Sequence, residues 1–320
     1  MTKAIFTKGT CKRFELFDTF VQVVLNGGWK LRDGVSLTDN TIDLYTDGFN
    51  GDKHLAIQVN CLDSNYSGHN IRTTQYANGS IRLGTLKNDK KEFFTNDGFA
   101  SLSFFPGRNY STENNSSYST TIERLYDIEY YYYVDQEVIV FVVVPFRYTN
   151  LGNTVMYIGF PEQSFVEESK RNELKPYSGA IYANSGYSGQ SIGKYCCRVV
   201  DNPKNLLELS NGTTKAQSVQ SIISPLSPNI DNKFVLSELF YGGSDTGTRG
   251  RFGRIYFLQP GGMIDGDIIE IKANNEIQKY RYTSLGGASN DYTSFPTYAT
   301  AIRVEWGDNK WLQFLKRGHV

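Results

Sequence analysis

Apolar residues fall at helical spacing near the start of the chain. Over residues 12–26, Phe14, Phe17, Val21, Val24 and Leu25 recur at intervals that place them on one side of a helix. Gly27-Gly28 follows and supplies a left-handed C-terminal stop, and Trp29 comes next, placed to pack back on the helix. Beyond it the pattern changes to short strands. Ile42, Leu44 and Tyr45 form one, closed by Asp47-Gly48, and His54 to Asn60 forms another in which Leu55, Ile57 and Val59 alternate along the strand. Asp33-Gly34, Asn78-Gly79 and Asp97-Gly98 are turn dipeptides. Phe104-Phe105-Pro106-Gly107 ends a segment, because Pro and Gly both break strands. Residues 108–120 are polar, rich in Ser, Asn and Tyr, and read as a long exposed loop of the kind that carries contacts.

The clearest strand pair lies over residues 126–144. Tyr130-Tyr131-Tyr132-Tyr133-Val134 leads through Asp135-Gln136 into Glu137–Val144. The run Ile139 to Val144 is apolar without alternation, which requires a central strand covered on both faces. Val155 to Gly159 continues the sheet. Residues 160–195 read as irregular, with Pro161 and Pro176 among many Gly and Ser. Cys197 to Val200 is one short strand. The polar stretch after it sets a boundary near 205, between a main β domain with the helix (1–205) and a C-terminal β-rich domain (206–320). In the latter, Gly253–Leu258, Asp267–Lys272, Gln278–Tyr282 and Ala301–Trp306 are strands separated by Gly-rich turns. The fold class expected is all-β, mainly antiparallel and sandwich- or barrel-like, with one N-terminal amphipathic helix.

Composition sharpens this picture. The 320 residues carry 33 Lys plus Arg and 33 Asp plus Glu, a formal net charge of zero. That balance argues against a nucleic-acid partner, which requires clustered cations, and suits a protein that associates. No run approaches the ~20 apolar residues of a membrane span. Tyr (22) and Phe (20) are abundant; they suit strand faces and interfaces alike. The four cysteines, Cys11, Cys61, Cys196 and Cys197, form no CxxC, and Met1-Thr2-Lys3 opens no secretory signal, so free thiols and synthesis in a reducing cytoplasm are expected.

Catalytic and metal chemistry is sparsely equipped. The histidines are His54, His69 and His319, without the spacing of a zinc site, and they read as surface or strand-end residues. Glu167-Glu168 and Asp265-Gly266-Asp267 are acidic clusters that read as solvated loops rather than a glycosidase pair or a complete calcium loop. The Gly- and Arg-rich segment 243–253 lacks the Gly-Lys-Ser/Thr ending of a phosphate loop. Its arginines, Arg249 and Arg251, with Arg254 just beyond, could meet an acidic partner surface through bidentate pairs; the plainer reading is a loop before a strand. No catalytic residue, metal or cofactor is expected.

Several stretches, in order across nearly the whole chain, resemble a group of virion structural proteins of tailed bacteriophages found among tail, neck and baseplate components. They are the helix ending in Gly27-Gly28-Trp29-Lys30-Leu31, the strand Leu55-Ala56-Ile57, the Tyr130–Val144 hairpin with Val155-Met156-Tyr157-Ile158-Gly159-Phe160-Pro161, the loop Lys175-Pro176-Tyr177-Ser178-Gly179, and the unit Gly253 to Trp306. The resemblance implies a structural protein of the virion, in the tail, baseplate or neck, synthesised in the host bacterial cytoplasm. Its partners would be other virion proteins and copies of itself, joined by burial of apolar and Tyr-bearing surface. The alternatives are a receptor- or host-glycan-binding module, with Tyr110, Tyr118 and Tyr187 as loop aromatics that stack on sugars, and an enzyme acting on cell-wall or capsule polymer.

Overall fold

The computed structural model describes residues 5–62, 70–73, 79–94, 102–103, 127–145, 154–160, 162–163, 180–185, 197–201, 205–209, 237–243, 247–258, 268–273, 276–284, 299–303, 305–306 and 313–314. The chain starts with strand β1 (Ile5–Lys12), a 3₁₀ turn (Arg13–Glu15) and helix α1 (Leu16–Asn26). It continues through β2 (Lys30–Leu31), β3 (Thr41–Thr46), β4 (Leu55–Asn60), β5 (Ser80–Lys87), β6 (Glu92–Phe94), β7 (Leu102–Ser103), β8 (Asp127–Val134), β9 (Val138–Pro145) and β10 (Thr154–Gly159). Then come β11 (Glu162–Gln163), β12 (Ala180–Ser185), β13 (Cys197–Asp201), β14 (Asn205–Leu209), β15 (Ser237–Gly243) and β16 (Gly247–Leu258). The last are β17 (Ile268–Ala273), β18 (Glu276–Ser284), β19 (Ala299–Arg303), β20 (Glu305–Trp306) and β21 (Gln313–Phe314).

Among the described residues every paired strand is antiparallel. A first sheet runs β2-β3-β4-β5-β6, with β7 also on β5; a seven-stranded sheet runs β1-β8-β9-β10-β12-β13-β14; a third runs β11-β16-β19-β18-β17, with β15 on β16. The expected mainly antiparallel β architecture with one short helix is thus present. Among the described residues, no helix is long and apolar enough to cross a membrane.

The helix covers Leu16–Asn26, the later part of the 12–26 stretch that periodicity marked, since Lys12 ends β1 and Arg13–Glu15 form the 3₁₀ turn; its end is a Schellman motif. Trp29 N–H donates to Val24 O (3.3 Å) and Gly28 N–H to Leu25 O (3.0 Å). Only Gly28 takes the left-handed conformation (φ 100°). Gly27 stays right-handed, and its requirement is space: a Cβ there would collide with the Val134 side chain. Leu16, Phe17, Phe20, Val21, Val23 and Val24 are buried, leaving Asp18, Gln22 and Asn26 as a narrow exposed stripe at i, i+4, i+8. Such a helix is enclosed on most of its circumference.

Helix, first sheet and seven-stranded sheet share one apolar core. The first sheet supplies Ile42, Leu44, Leu55, Ile57, Val59, Ile81 and Leu83, and the larger sheet Ile128, Val134, Ile139, Phe141, Val143, Met156 and Ile158. Phe20 meets Phe141 edge to face at 5.1 Å. The opposite face of the larger sheet, with Val138, Val140, Val142, Tyr131, Tyr133 and Tyr157, is buried as well. β9 is therefore the doubly covered central strand its unbroken apolar run predicts. Of the two roles open to tyrosine, strand-face packing is the one taken here: Tyr131, Tyr132 and Tyr133 on β8 and Tyr157 on β10 are covered by this chain itself. Tyr130 and Tyr132 stack with Phe141 on the core side at 5.6 and 6.4 Å. Tyr130 also lies over its cross-strand neighbour Gly9, where any Cβ would collide with the ring. An aromatic ring thus covers the bare glycine of an edge strand.

The β8–β9 turn is pinned to the rest of the fold. Asp135, nearly inaccessible, accepts hydrogen bonds from Glu137 N–H (2.7 Å), Val138 N–H (2.8 Å) and Tyr133 O–H (2.8 Å), so its buried charge is fully satisfied. Its carbonyl accepts the Trp29 indole N–H at 2.9 Å, and the Thr46 hydroxyl donates to Gln136 O at 2.6 Å. These bonds tie the helix stop and the first sheet to the larger one.

Candidate functional site

Among the described residues, the densest constellation of chemistry-bearing side chains stands where the first sheet's β3–β4 connection meets the β5–β6 hairpin. Asp47 follows β3, His54 precedes β4, Lys30 lies on edge strand β2, and Lys90 lies in the β5–β6 turn. Asp47 accepts from Lys90 Nζ (2.7 and 2.9 Å), from the His54 ring at Nδ1 (3.0 Å) and from Lys30 Nζ (3.4 Å). Burial opposes ionisation of Asp47, but the hydrogen bonds from Lys90 and His54 prevail and hold its carboxyl below the ordinary value. Both ammonium groups also approach the Tyr45 ring, Lys90 at 4.8 Å and Lys30 at 5.6 Å from its centroid.

An Asp–His pair is the first half of a nucleophile-activating relay, in which the outer imidazole nitrogen faces a hydroxyl or thiol. Here the outer nitrogen is occupied. Leu86 N–H points at His54 Nε2 at 3.1 Å. A backbone amide can only donate, so Nε2 is the acceptor and the proton sits on Nδ1, donated to Asp47. The imidazole is a structural bridge from the β3–β4 connection to the end of β5. The sequence suggests a surface or strand-end residue; His54 stands immediately before β4, and its partners Asp47 and Leu86 lie 7 and 32 residues away.

The turn that supplies Lys90 is strained. Asn88, Asp89 and Lys90 all have positive φ (52°, 53° and 68°), a conformation that costs side-chain-bearing residues and clusters at functional sites and switches. It is held by Lys91 N–H on Lys87 O (3.0 Å), Asn88 Nδ2 on Glu92 (2.8 Å), and Arg32 Nη1 on Lys91 O (2.7 Å). Arg32 in turn bonds Asp43 (2.7 Å), which also accepts from Gln58 (3.0 Å). Asp43, Gln58 and Arg82 sit in one cross-strand row on the side of the sheet away from the core.

A second hub sits at the other end of β3. Arg72 donates to Asp18 on the helix (Nη2 at 2.6 Å) and to the carbonyls of Asp39 and Leu37 (2.9 Å each), with its guanidinium 4.5 Å from the Phe17 ring centroid. Cys11 and Cys61 are free and buried. Burial pushes the Cys11 thiol up to about 11 and raises that of Cys61 as well, the opposite of an activated nucleophile.

The interface residues expected from sequence divide in two. Tyr110, Tyr118 and Tyr187 lie outside the described residues, as do His69, His319, Glu167-Glu168 and Asp265-Gly266-Asp267. Arg249, Arg251 and Arg254 belong to β16, which corrects the reading of 247–253 as a loop. Glycine content suggested a flexible approach to the strand, but pairing with β15 on one side, through Phe240↔Arg251 and Tyr241↔Gly250, and with β11 on the other, through Glu162↔Arg251, extends the strand to Gly247. Likewise β12 falls inside 160–195, a stretch read as irregular, and is stabilised by pairing along β10.

No family model matches the chain, and no curated protein matches it.

Proposed function

We propose that this chain is a non-catalytic structural protein that acts by assembling with other protein chains, as a component of a tailed-phage virion at the tail, baseplate or neck. The observation that carries the non-catalytic reading is the geometry of His54. The described imidazole with a carboxylate partner spends its second nitrogen on the Leu86 amide, and Asp47 is shared among three donors that bind elements together. Groups that could do chemistry serve as clamps. The virion setting rests on the ordered sequence resemblance. In this reading the helix and two sheets form a sandwich-like unit.

Self-coverage of the tyrosine-bearing faces moves the expected contacts to edges and loop tips. β1 is an end strand of the seven-stranded sheet. Phe49 (41 % exposed) and Leu37 (40 % exposed) are large apolar side chains displayed on the connections flanking β3. The Phe49 loop is held in shape by Gly48 and Gly51 at positive φ and by Lys53 N–H on Asp47 O (3.1 Å). Preformed loops limit the ordering cost of association. Electron microscopy and mass spectrometry of purified particles test the reading: the chain should occupy a symmetric position in the tail, baseplate or neck, and its absence from intact virions would overturn it.

A further inference from the structure

Two of the ties between the outer end of the β5–β6 hairpin and the β3–β4 connection converge on one titratable side chain; a third, Arg32 Nη1 on Lys91 O (2.7 Å), is independent of it. Leu86 N–H, at the end of β5, needs the unprotonated Nε2 of His54 (3.1 Å); Lys90, in the turn, needs a share of Asp47, which His54 also contacts. We propose that the outer end of this hairpin is a proton-released latch, in which protonation of His54 ejects the Leu86 amide and the imidazolium, already bound to Asp47, repels Lys90 from the shared carboxylate.

The reasoning is stereochemical. Once Nε2 carries a proton, two donors face each other at hydrogen-bond distance, and the pair must separate. The Leu86–Nε2 hydrogen bond and a proton on Nε2 therefore exclude one another. The charged and titratable groups around the ring set the direction further. Asp47 faces Nδ1; Tyr45 on β3 lies 6.0 Å away ring to ring; Lys30 from β2 and Lys90 from the turn share Asp47. Lys53, adjacent in the chain, is occupied by Glu137 at 2.7 Å. An imidazolium repels both lysines that share the carboxylate. Lys30 sits on a strand paired in the sheet, whereas Lys90 sits on a turn with three consecutive left-handed residues, so the turn is the part that yields. Its backbone strain is relieved on release. Asp47, held below the ordinary carboxyl range, stays ionised through the range in which imidazoles titrate. It therefore keeps its bond to the imidazolium.

Hydrogen–deuterium exchange on the full chain at pH 7.5 and 5.0, corrected for intrinsic exchange, tests this. Protection of the segment 85–94 should fall about tenfold at pH 5.0, which corresponds to about 1.4 kcal/mol, while the buried β9 segment 138–143 keeps its protection. His54→Gln should abolish the pH step. Equal protection at both pH values, an equal fall in His54→Gln, or a fall shared with β9 overturns the latch. Lys90→Ala, on an exposed turn, gives a reading that does not depend on His54→Gln folding. With the competitor for Asp47 removed, release should occur at higher pH than in the unaltered chain, and an unchanged release pH also overturns it.

Discussion

Replacing Arg72 with alanine should destabilise the chain far more than its exposed ion pair alone can explain. The guanidinium joins three regions: the segment 70–73 in which it lies, helix α1 through Asp18, and the β2–β3 connection through the carbonyls of Leu37 and Asp39. Asp18 is half exposed, its side chain retaining 51 % of its accessible surface, so the ion pair contributes roughly 0.5 kcal/mol after screening. The two carbonyl bonds, both 2.9 Å, come from a charged donor whose side chain is 19 % exposed and contribute about 1 kcal/mol each. Stacking over Phe17 at 4.5 Å adds about 1 kcal/mol. Arg72→Ala should therefore cost about 3.5 kcal/mol, and Asp18→Asn under about 1 kcal/mol. Arg72→Lys should recover little, because an ammonium on a flexible stem cannot reproduce the planar fork or the stack. Urea denaturation midpoints of the full-length variants measure these differences. If Arg72→Ala and Asp18→Asn cost the same, the carbonyl and ring contacts contribute nothing and the reasoning fails.

Four further outcomes are expected. Gly27→Ala drives a methyl into Val134 and should cost about 1–3 kcal/mol by the same denaturation assay, although alanine is the better helix former. Thr85→Val removes a buried hydroxyl without a hydrogen-bond partner, so it should leave stability unchanged or raise it by up to about 1 kcal/mol, read as a thermal midpoint. Burial pushes the Tyr132 phenol up to about 12, with Tyr130 adding to the effect; the fold favours the neutral form, so stability should be complete below the ordinary phenol value of about 10 and decline as pH rises toward 12, and Tyr132→Phe should lessen that decline in alkaline unfolding curves. The Cys11 thiol, raised to about 11, should resist a thiol reagent at pH 8 in the folded protein and react on unfolding, as a colorimetric assay in the presence and absence of denaturant will show.

The parts of this fold legible in the sequence are those written in short-range pattern. Helix α1 follows from apolar spacing and a glycine stop, β4 from the alternation of Leu55, Ile57 and Val59, and the β8–β9 hairpin from two apolar runs around Asp135-Gln136. Each depends on neighbours a few residues apart, where side-chain direction follows from backbone period. Composition misleads where partners are remote. The segment 247–253 looks like a loop by its glycines and arginines, yet two flanking strands supply the hydrogen bonds that keep it extended. β1, Ile5-Phe6-Thr7-Lys8-Gly9-Thr10-Cys11-Lys12, has weak local signal and is a strand because β8 lies beside it, with Lys12 opposite Asp127.

The candidate site is the clearest case of what sequence leaves open. Histidine, aspartate and lysine are visible at positions 54, 47 and 90, but their meaning depends on which atom faces which. Only tertiary structure sets Leu86 N–H against Nε2 and turns a relay-like pair into a strap. The same holds for the tyrosines: sequence shows that they are many, and packing determines that Tyr131, Tyr132, Tyr133 and Tyr157 are covered by their own chain. Local period specifies which face of a strand is apolar; what covers that face is set by register between segments far apart in the chain, where one residue of slip would exchange the two faces.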